Sequence, residues 1–125
     1  DYDGNLHEGL LIEYIDPLTG GPVYKTMAFF MQMLRPGEKT RAIKQSASLL
    51  VAPFEGRGHA LVGGQRFELE RFDTVAIPGG LWTEYVNDGS DPLILFVASD
   101  EPALAAFGLL TRYGRDASGD VVKLM

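Results

Sequence analysis

Two imidazoles, no thiol and a few polar side chains in apolar surroundings make up the chemical inventory of this chain. His7 and His59 are its histidines, and it has no cysteine. A site needing three imidazoles from this chain is therefore excluded, as are a thiolate zinc site, a disulfide framework and a cysteine nucleophile. His59 follows the turn Glu55-Gly56-Arg57-Gly58 and could serve as a lone general base. A single histidine on a short strand is more often a half-exposed structural residue. His7 falls in the lead-in and is expected to be solvated. Strand alternation gives a sharper grouping: Arg41, Ile43 and Gln45 share one face, and Thr83 and Tyr85 share another. If those faces turn inward, Arg41 could hold a carboxylate in a bidentate fork, with Gln45, Thr83 and Tyr85 fixing its orientation. The more ordinary fate of Arg41 is to lie near the mouth of the fold and pair with an acid such as Glu84 or Glu38. Trp82 and Tyr85, on either side of Glu84, read as stacking groups for a substrate or as core or subunit contacts.

The bulk numbers limit the partners. The 125 residues suffice for one domain, taken as residues 1–125, with 46 % apolar and 22 % charged residues. Eleven basic residues face seventeen acidic ones, for a net charge of −6. That balance repels phosphate backbones, so nucleic acid is not an expected partner. Nor is a membrane: the longest uncharged apolar stretch, Met27–Leu34, is far too short to cross one. The chain shows no targeting or lipidation motif and is free of cysteine, which fits a cytoplasmic setting. It begins with Asp1 rather than Met, and is expected to be trimmed or a piece of something longer.

The elements that must position these side chains are nearly all strands. Residues 1–7 read as a loose lead-in. Glu8–Ile15 follows as a strand, and then a loop dense in turn formers, Asp16-Pro-Leu-Thr-Gly-Gly-Pro22. Thr26–Leu34 reads as a strand buried on both faces, ending at Arg35-Pro36-Gly37. Short strands then recur at Thr40–Ser46, Ser48–Phe54, His59–Val62, Gln65–Glu70, Thr74–Ile77, Leu81–Asn87 and Leu93–Ala98. Gly63-Gly64 supplies a hairpin turn between two of them. Gln65–Glu70 alternates, with Phe67 and Leu69 on one face. The spacing predicts one helix, Glu101–Leu110, capped by Ser99 or Asp100, with Pro102 near its start and an apolar face of Ala103, Leu104, Ala106, Phe107 and Leu110. In the tail, residues 115–125, Val121-Val122 could add an edge strand. Asp116, Asp120, Glu68 and Glu70 read as solvated surface. Strands at this spacing predict an all-β fold, a jelly-roll barrel with one short C-terminal helix.

Two frames in the sequence match known spacings without insertion. Gly37, Ile43, Gln45, Leu49 and Gly56 follow the first cupin motif, a glycine, His-x-His, a glutamate and a second glycine. Phe72, Pro78, Gly80, Thr83 and Asn87 follow the second, Gly, Pro-x-Gly, His and Asn. Further stretches are more specific: Tyr14-Ile-Asp-Pro-Leu-Thr-Gly-Gly-Pro-Val23, Phe30-Met-Gln-Met-Leu-Arg-Pro-Gly37, Glu55-Gly-Arg-Gly58, Leu95-Phe-Val-Ala-Ser-Asp-Glu-Pro102 and Ala106-Phe-Gly-Leu109. From about Tyr14 to Tyr113 the chain resembles the C-terminal cupin of gentisate 1,2-dioxygenases and their salicylate and hydroxynaphthoate relatives.

That resemblance implies a single cupin domain of a two-cupin family, in which Fe(II) held by three histidines of the N-terminal cupin cleaves a hydroxylated aromatic carboxylate. The family's catalytic histidines have no counterpart here, so no catalytic residue carries over. The metal positions fall on Ile43, Gln45, Leu49 and Thr83. Two aliphatic side chains, a neutral amide and a hydroxyl are a poor donor set for iron, manganese or zinc. No metal and no cofactor are expected in this chain.

Three functions compete. The first is a metal-free, non-catalytic cupin serving structure and assembly in a ring-cleaving dioxygenase. The second is a free-standing binder of a small aromatic carboxylate, using Arg41, Gln45, Thr83 and Tyr85. The third is part of an active iron dioxygenase whose catalytic cupin lies outside this sequence. Met27–Met33 has no polar face, and the inside of a barrel covers only one side of it. A homo-oligomer or a partner cupin domain is the expected cover.

Overall fold

The computed structural model describes residues 4–124. In chain order its strands are β1 (Leu10–Tyr14), β2 (Ala28–Leu34), β3 (Ile43–Gln45), β4 (Leu49–Glu55), β5 (Gly58–Val62), β6 (Gln65–Leu69), β7 (Val75–Ile77), β8 (Thr83–Val86), β9 (Leu93–Ser99), β10 (Arg112–Arg115) and β11 (Val121–Lys123). One helix, α1 (Glu101–Ala106), separates β9 from β10.

The strands form two antiparallel sheets. One has the order β1-β2-β9-β4-β7 and the other β11-β10-β3-β8-β5-β6. Their inner faces pack together through Leu34, Val51, Leu69, Leu93 and Leu95, all fully buried. The expected all-β jelly roll with one short helix is what forms, as a two-sheet sandwich in which each sheet keeps two edges. Those edges are blunted locally. β7 and β11 have three residues each, and β6 carries Arg66 and Glu68 on its exposed stretch. Short or charged edges discourage further pairing.

Local chemistry explains the turns. Val62 pairs with Gln65 across Gly63 and Gly64, both at positive φ, the requirement of a tight two-residue hairpin. At Gly56 a Cβ would strike the Pro92 carbonyl oxygen, so this motif glycine is kept for close backbone approach. Asn87, 1 % exposed, donates to the carbonyls of Leu34, Arg35 and Asp91 at 3.1, 3.1 and 2.9 Å and accepts from Gly89 N. The motif asparagine thus ties the β8–β9 loop to the end of β2. Phe72, where the motif has glycine, sits at φ 75°, in the left-handed region that glycine usually fills.

Local expectations at the helix end and in the lead-in are corrected. The helix ends at Ala106 and buries none of its residues fully; Phe107, expected on its apolar face, lies just beyond it and is 80 % exposed. The Ser99 hydroxyl accepts from Glu101 N, while the Asp100 carboxylate is turned to Ser48 N. Phe67 and Leu69 do share one face of β6, though Phe67 is more exposed than the fully buried Leu69. The end of the lead-in is a hydrogen-bonded turn, Asn5 to Gly9, whose Leu6 carbonyl accepts from Arg41 N; Asp1–Asp3 lie outside the described residues. His7 is accordingly half-buried, its Nε2 3.1 Å from the Arg115 carbonyl oxygen against Gly114. β10 is an addition: Arg112-Tyr-Gly-Arg115 lacks apolar alternation and becomes a strand by pairing with β3 and β11.

Candidate functional site

Between the sheets lies a cavity of about 40 Å³. The fold brings all four motif positions to its wall. Ile43 on β3 is the direct partner of Thr83 on β8, and both are buried. Gln45 follows on the same face of β3, and Leu49 opens β4. Tyr85, two residues beyond Thr83, also lines the space. Alternation thus places Gln45, Thr83 and Tyr85 together, as the sequence suggested.

Arg41 does not join them. Regular strand geometry begins only at Ile43, and Ala42 and Ile43 are both buried, so the alternation cannot be extended back to residue 41. Arg41 lies instead in a surface groove with Lys39, Glu84, Arg115 and Asp116. There Lys39, not Arg41, pairs with Glu84 at 3.8 Å, and Glu38 pairs with Arg35. The Arg41 carboxylate fork is therefore not built into the cavity.

The cation at the cavity comes from β10. Arg112 meets Glu8 at 2.8 Å, and both side chains are largely buried. Gln32 on β2 donates its amide to the Glu8 carbonyl at 2.8 Å. Glu101 reaches the cavity from the first turn of α1. Its pKa is raised chiefly by burial; Arg112 opposes the shift, and Glu13, Glu8 and Asp100 add to it. Burial, reinforced by Glu8, also holds the Tyr85 phenol well above its ordinary pKa of 10. Sequence reasoning missed Glu8, Arg112 and Glu101 because they come from three distant segments. The one available signal was Gln32, the lone polar residue within Met27–Leu34.

The remaining candidates have structural partners. His59 is buried and lies 2.7 Å from the Asp88 carboxylate. Trp82 is covered by the Arg115 guanidinium, 4.3 Å from its ring centre.

The donor set does not fit a cupin metal. Ile43 and Leu49 offer no lone pair, and the Thr83 hydroxyl is turned toward the Leu81 carbonyl at 3.4 Å. Among the described residues, no group of three or more His, Cys, Asp or Glu could hold an ion. No helix among the described residues is long and apolar enough to cross a membrane.

Comparison with known proteins gives the ancestry. No family model matches the chain. It is 34 % identical over 110 residues to 1-hydroxy-2-naphthoate 1,2-dioxygenase of Nocardioides sp. (strain KP7), covering 86 % of this chain and 28 % of that protein. It is 33 % identical over 98 residues to a gentisate 1,2-dioxygenase of Streptomyces sp., covering 78 % and 27 %. The crystal structure of salicylate 1,2-dioxygenase from Pseudaminobacter salicylatoxidans superimposes with a TM-score of 0.79 at 27 % identity, over 83 % of this chain and 29 % of that one. The chain spans less than a third of the length of each.

Proposed function

Starting from a cupin-fold chain related to the gentisate, salicylate and 1-hydroxy-2-naphthoate 1,2-dioxygenases, we propose that it is a metal-free, non-catalytic cupin. Its role is structure and assembly in an aromatic ring-cleaving dioxygenase of the cytoplasm. In that reading it is the C-terminal cupin, and ring cleavage with Fe(II) belongs to a cupin outside this sequence.

One observation carries the reading: the four positions where cupins hold a metal are Ile43, Gln45, Leu49 and Thr83, gathered at one cavity. An ion moved there from water would lose its hydration without compensation. The assembly role is supported by the outer face of the β1-β2-β9-β4-β7 sheet. Cross-strand rows there read Ile12-Met31-Phe96-Ala52 and Tyr14-Phe29-Ala98-Leu50. Phe29 stacks on Phe96 with ring centres 5.8 Å apart, and Tyr14 lies 6.3 Å from Phe96. Ile12 is 65 % and Leu50 50 % exposed. A contiguous apolar face of this kind marks an association surface. We assign its cover to another copy of the chain or to a partner cupin domain.

At about 40 Å³ the cavity does not favour a free-standing aromatic binder, since a cavity that takes up a benzene ring measures about 150 Å³. The test is oxygen consumption. The chain supplied with Fe(II) and gentisate or salicylate is expected to consume none above buffer. Turnover that disappears in Gln45→Ala would overturn the proposal. Sedimentation at rising concentration tests the association surface, with Phe96→Glu expected to shift the chain toward the monomer.

A further inference from the structure

The helix α1 is pinned at its two ends and held loosely between them. Before it, the Asp100 carboxylate accepts from Ser48 N at 2.8 Å. After it, the Leu109 carbonyl accepts from the Ser46 hydroxyl at 2.8 Å. The six helical residues include none that is fully buried. Segments with few buried contacts are the ones that open at low free energy. Between the pins, the residue of α1 that lines the inter-sheet cavity is Glu101.

The carboxyl of Glu101 stands in an acidic neighbourhood. Among the described residues it makes no hydrogen bond or ion pair, whereas Glu8 at the same cavity is paired with Arg112 at 2.8 Å. The titratable groups around it are Glu8 from the turn before β1, Glu13 from β1, Asp100 just ahead of α1, Tyr85 from β8 and Arg112 from β10. Three carboxylates thus act on it against one guanidinium, and that guanidinium is already engaged. Tyr85 stays neutral from acid to neutral pH, because burial holds its phenol above the ordinary range. Burial is also the chief reason that the neutral form of Glu101 is favoured. A carboxylate that ionises in such a place recovers free energy by reaching water.

We propose that α1 is a flap over the inter-sheet cavity, shut while Glu101 is protonated and released outward once Glu101 ionises. The Ser46 and Ser48 pins act as its hinges, so the flap lifts while the sheets stay folded. Closure is fully favoured below the ordinary glutamate range and is lost as pH rises through the raised value of Glu101. The device is independent of the metal-free and assembly roles above.

The experiment is amide hydrogen exchange of the chain, followed by NMR from about pH 4, near the ordinary glutamate range, to about pH 7. Rates are corrected for the intrinsic pH dependence of exchange. The reporters are Ala103 and Leu104, whose N–H groups donate to the Asp100 carbonyl at 3.1 and 3.4 Å. The reference is Val97 in β9, paired with Phe30 and Val51 on either side. The reporters are expected to be less protected than Val97 throughout and to lose protection several-fold as pH rises, a fall that Glu101→Gln abolishes. Glu101→Gln removes no hydrogen bond or ion pair among the described residues, so the variant should fold as the parent does. The carbon-13 shift of the Glu101 carboxyl should titrate with the same midpoint as the loss of protection. Three results each overturn the proposal. Reporter protection that stays flat while the carboxyl titrates would mean that the side chain moves alone. Reporters as protected as Val97 would place opening in global unfolding. An undiminished fall in Glu101→Gln would assign it to another group.

Discussion

The two ends of the cavity solve opposite problems. At the β3–β8 end, Ile43, Leu49 and Thr83 close the space with aliphatic groups and a hydroxyl aimed at a nearby carbonyl. At the β1–β10 end, Glu8, Arg112, Gln32 and Glu101 bring charge and amide chemistry inside. The first end makes no demand beyond packing. The second is held only by mutual satisfaction, since a buried charge is tolerated when paired and costly when its partner is removed. The polar groups at this cavity thus come largely from residues outside the motif frame.

The contrast can be broken most forcefully at the charged end. Arg112→Met leaves Glu8 largely buried without its partner and is expected to cost about 3 kcal/mol in denaturant unfolding. Combining it with Glu8→Leu should recover much of that loss, because the unpaired charge goes too. At the neutral end, Ile43→Val trims one methylene from a buried side chain and should cost about 1 kcal/mol.

Glu101 sharpens the comparison through pH. Its folded pKa lies above the unfolded value, so its neutral form is favoured in the fold. That contribution is fully present below the unfolded carboxylate pKa and is lost as pH rises through the raised folded value. Glu101→Gln should therefore be more stable than the parent at neutral pH and lose the advantage in acid, read as thermal midpoints across the range. The smallest effect belongs to Thr83→Val. The buried hydroxyl makes only a 3.4 Å contact to the Leu81 carbonyl, so the loss should be about 0.5 kcal/mol, the low end for a hydrogen bond.

Much of this architecture was legible in the chain. Turn chemistry located the strand breaks, because Gly63-Gly64 and Pro36-Gly37 admit few backbone paths. The motif spacing brought Ile43, Gln45, Leu49 and Thr83 to one place. What could not be read depends on tertiary partners. β10 has no hydrophobic pattern of its own and exists through β3 and β11. Arg41 was the visible arginine and Arg112 the one at the cavity, because alternation holds only where a strand is regular, and here that begins at Ile43. The jelly roll itself was readable from strand spacing, while its two-sheet order, with short or charged strands at several edges, was not. The helix pattern Ala103–Leu110 described an apolar stripe, and nothing in it said that the helix would stop at Ala106 and leave Phe107 exposed.

The most direct test of the central claim is metal analysis of the chain after incubation with Fe(II) under nitrogen and exhaustive desalting. The account predicts iron at background level, indistinguishable from a Gln45→Ala, Thr83→Ala double variant. One retained iron per chain, lost in that variant, would contradict it.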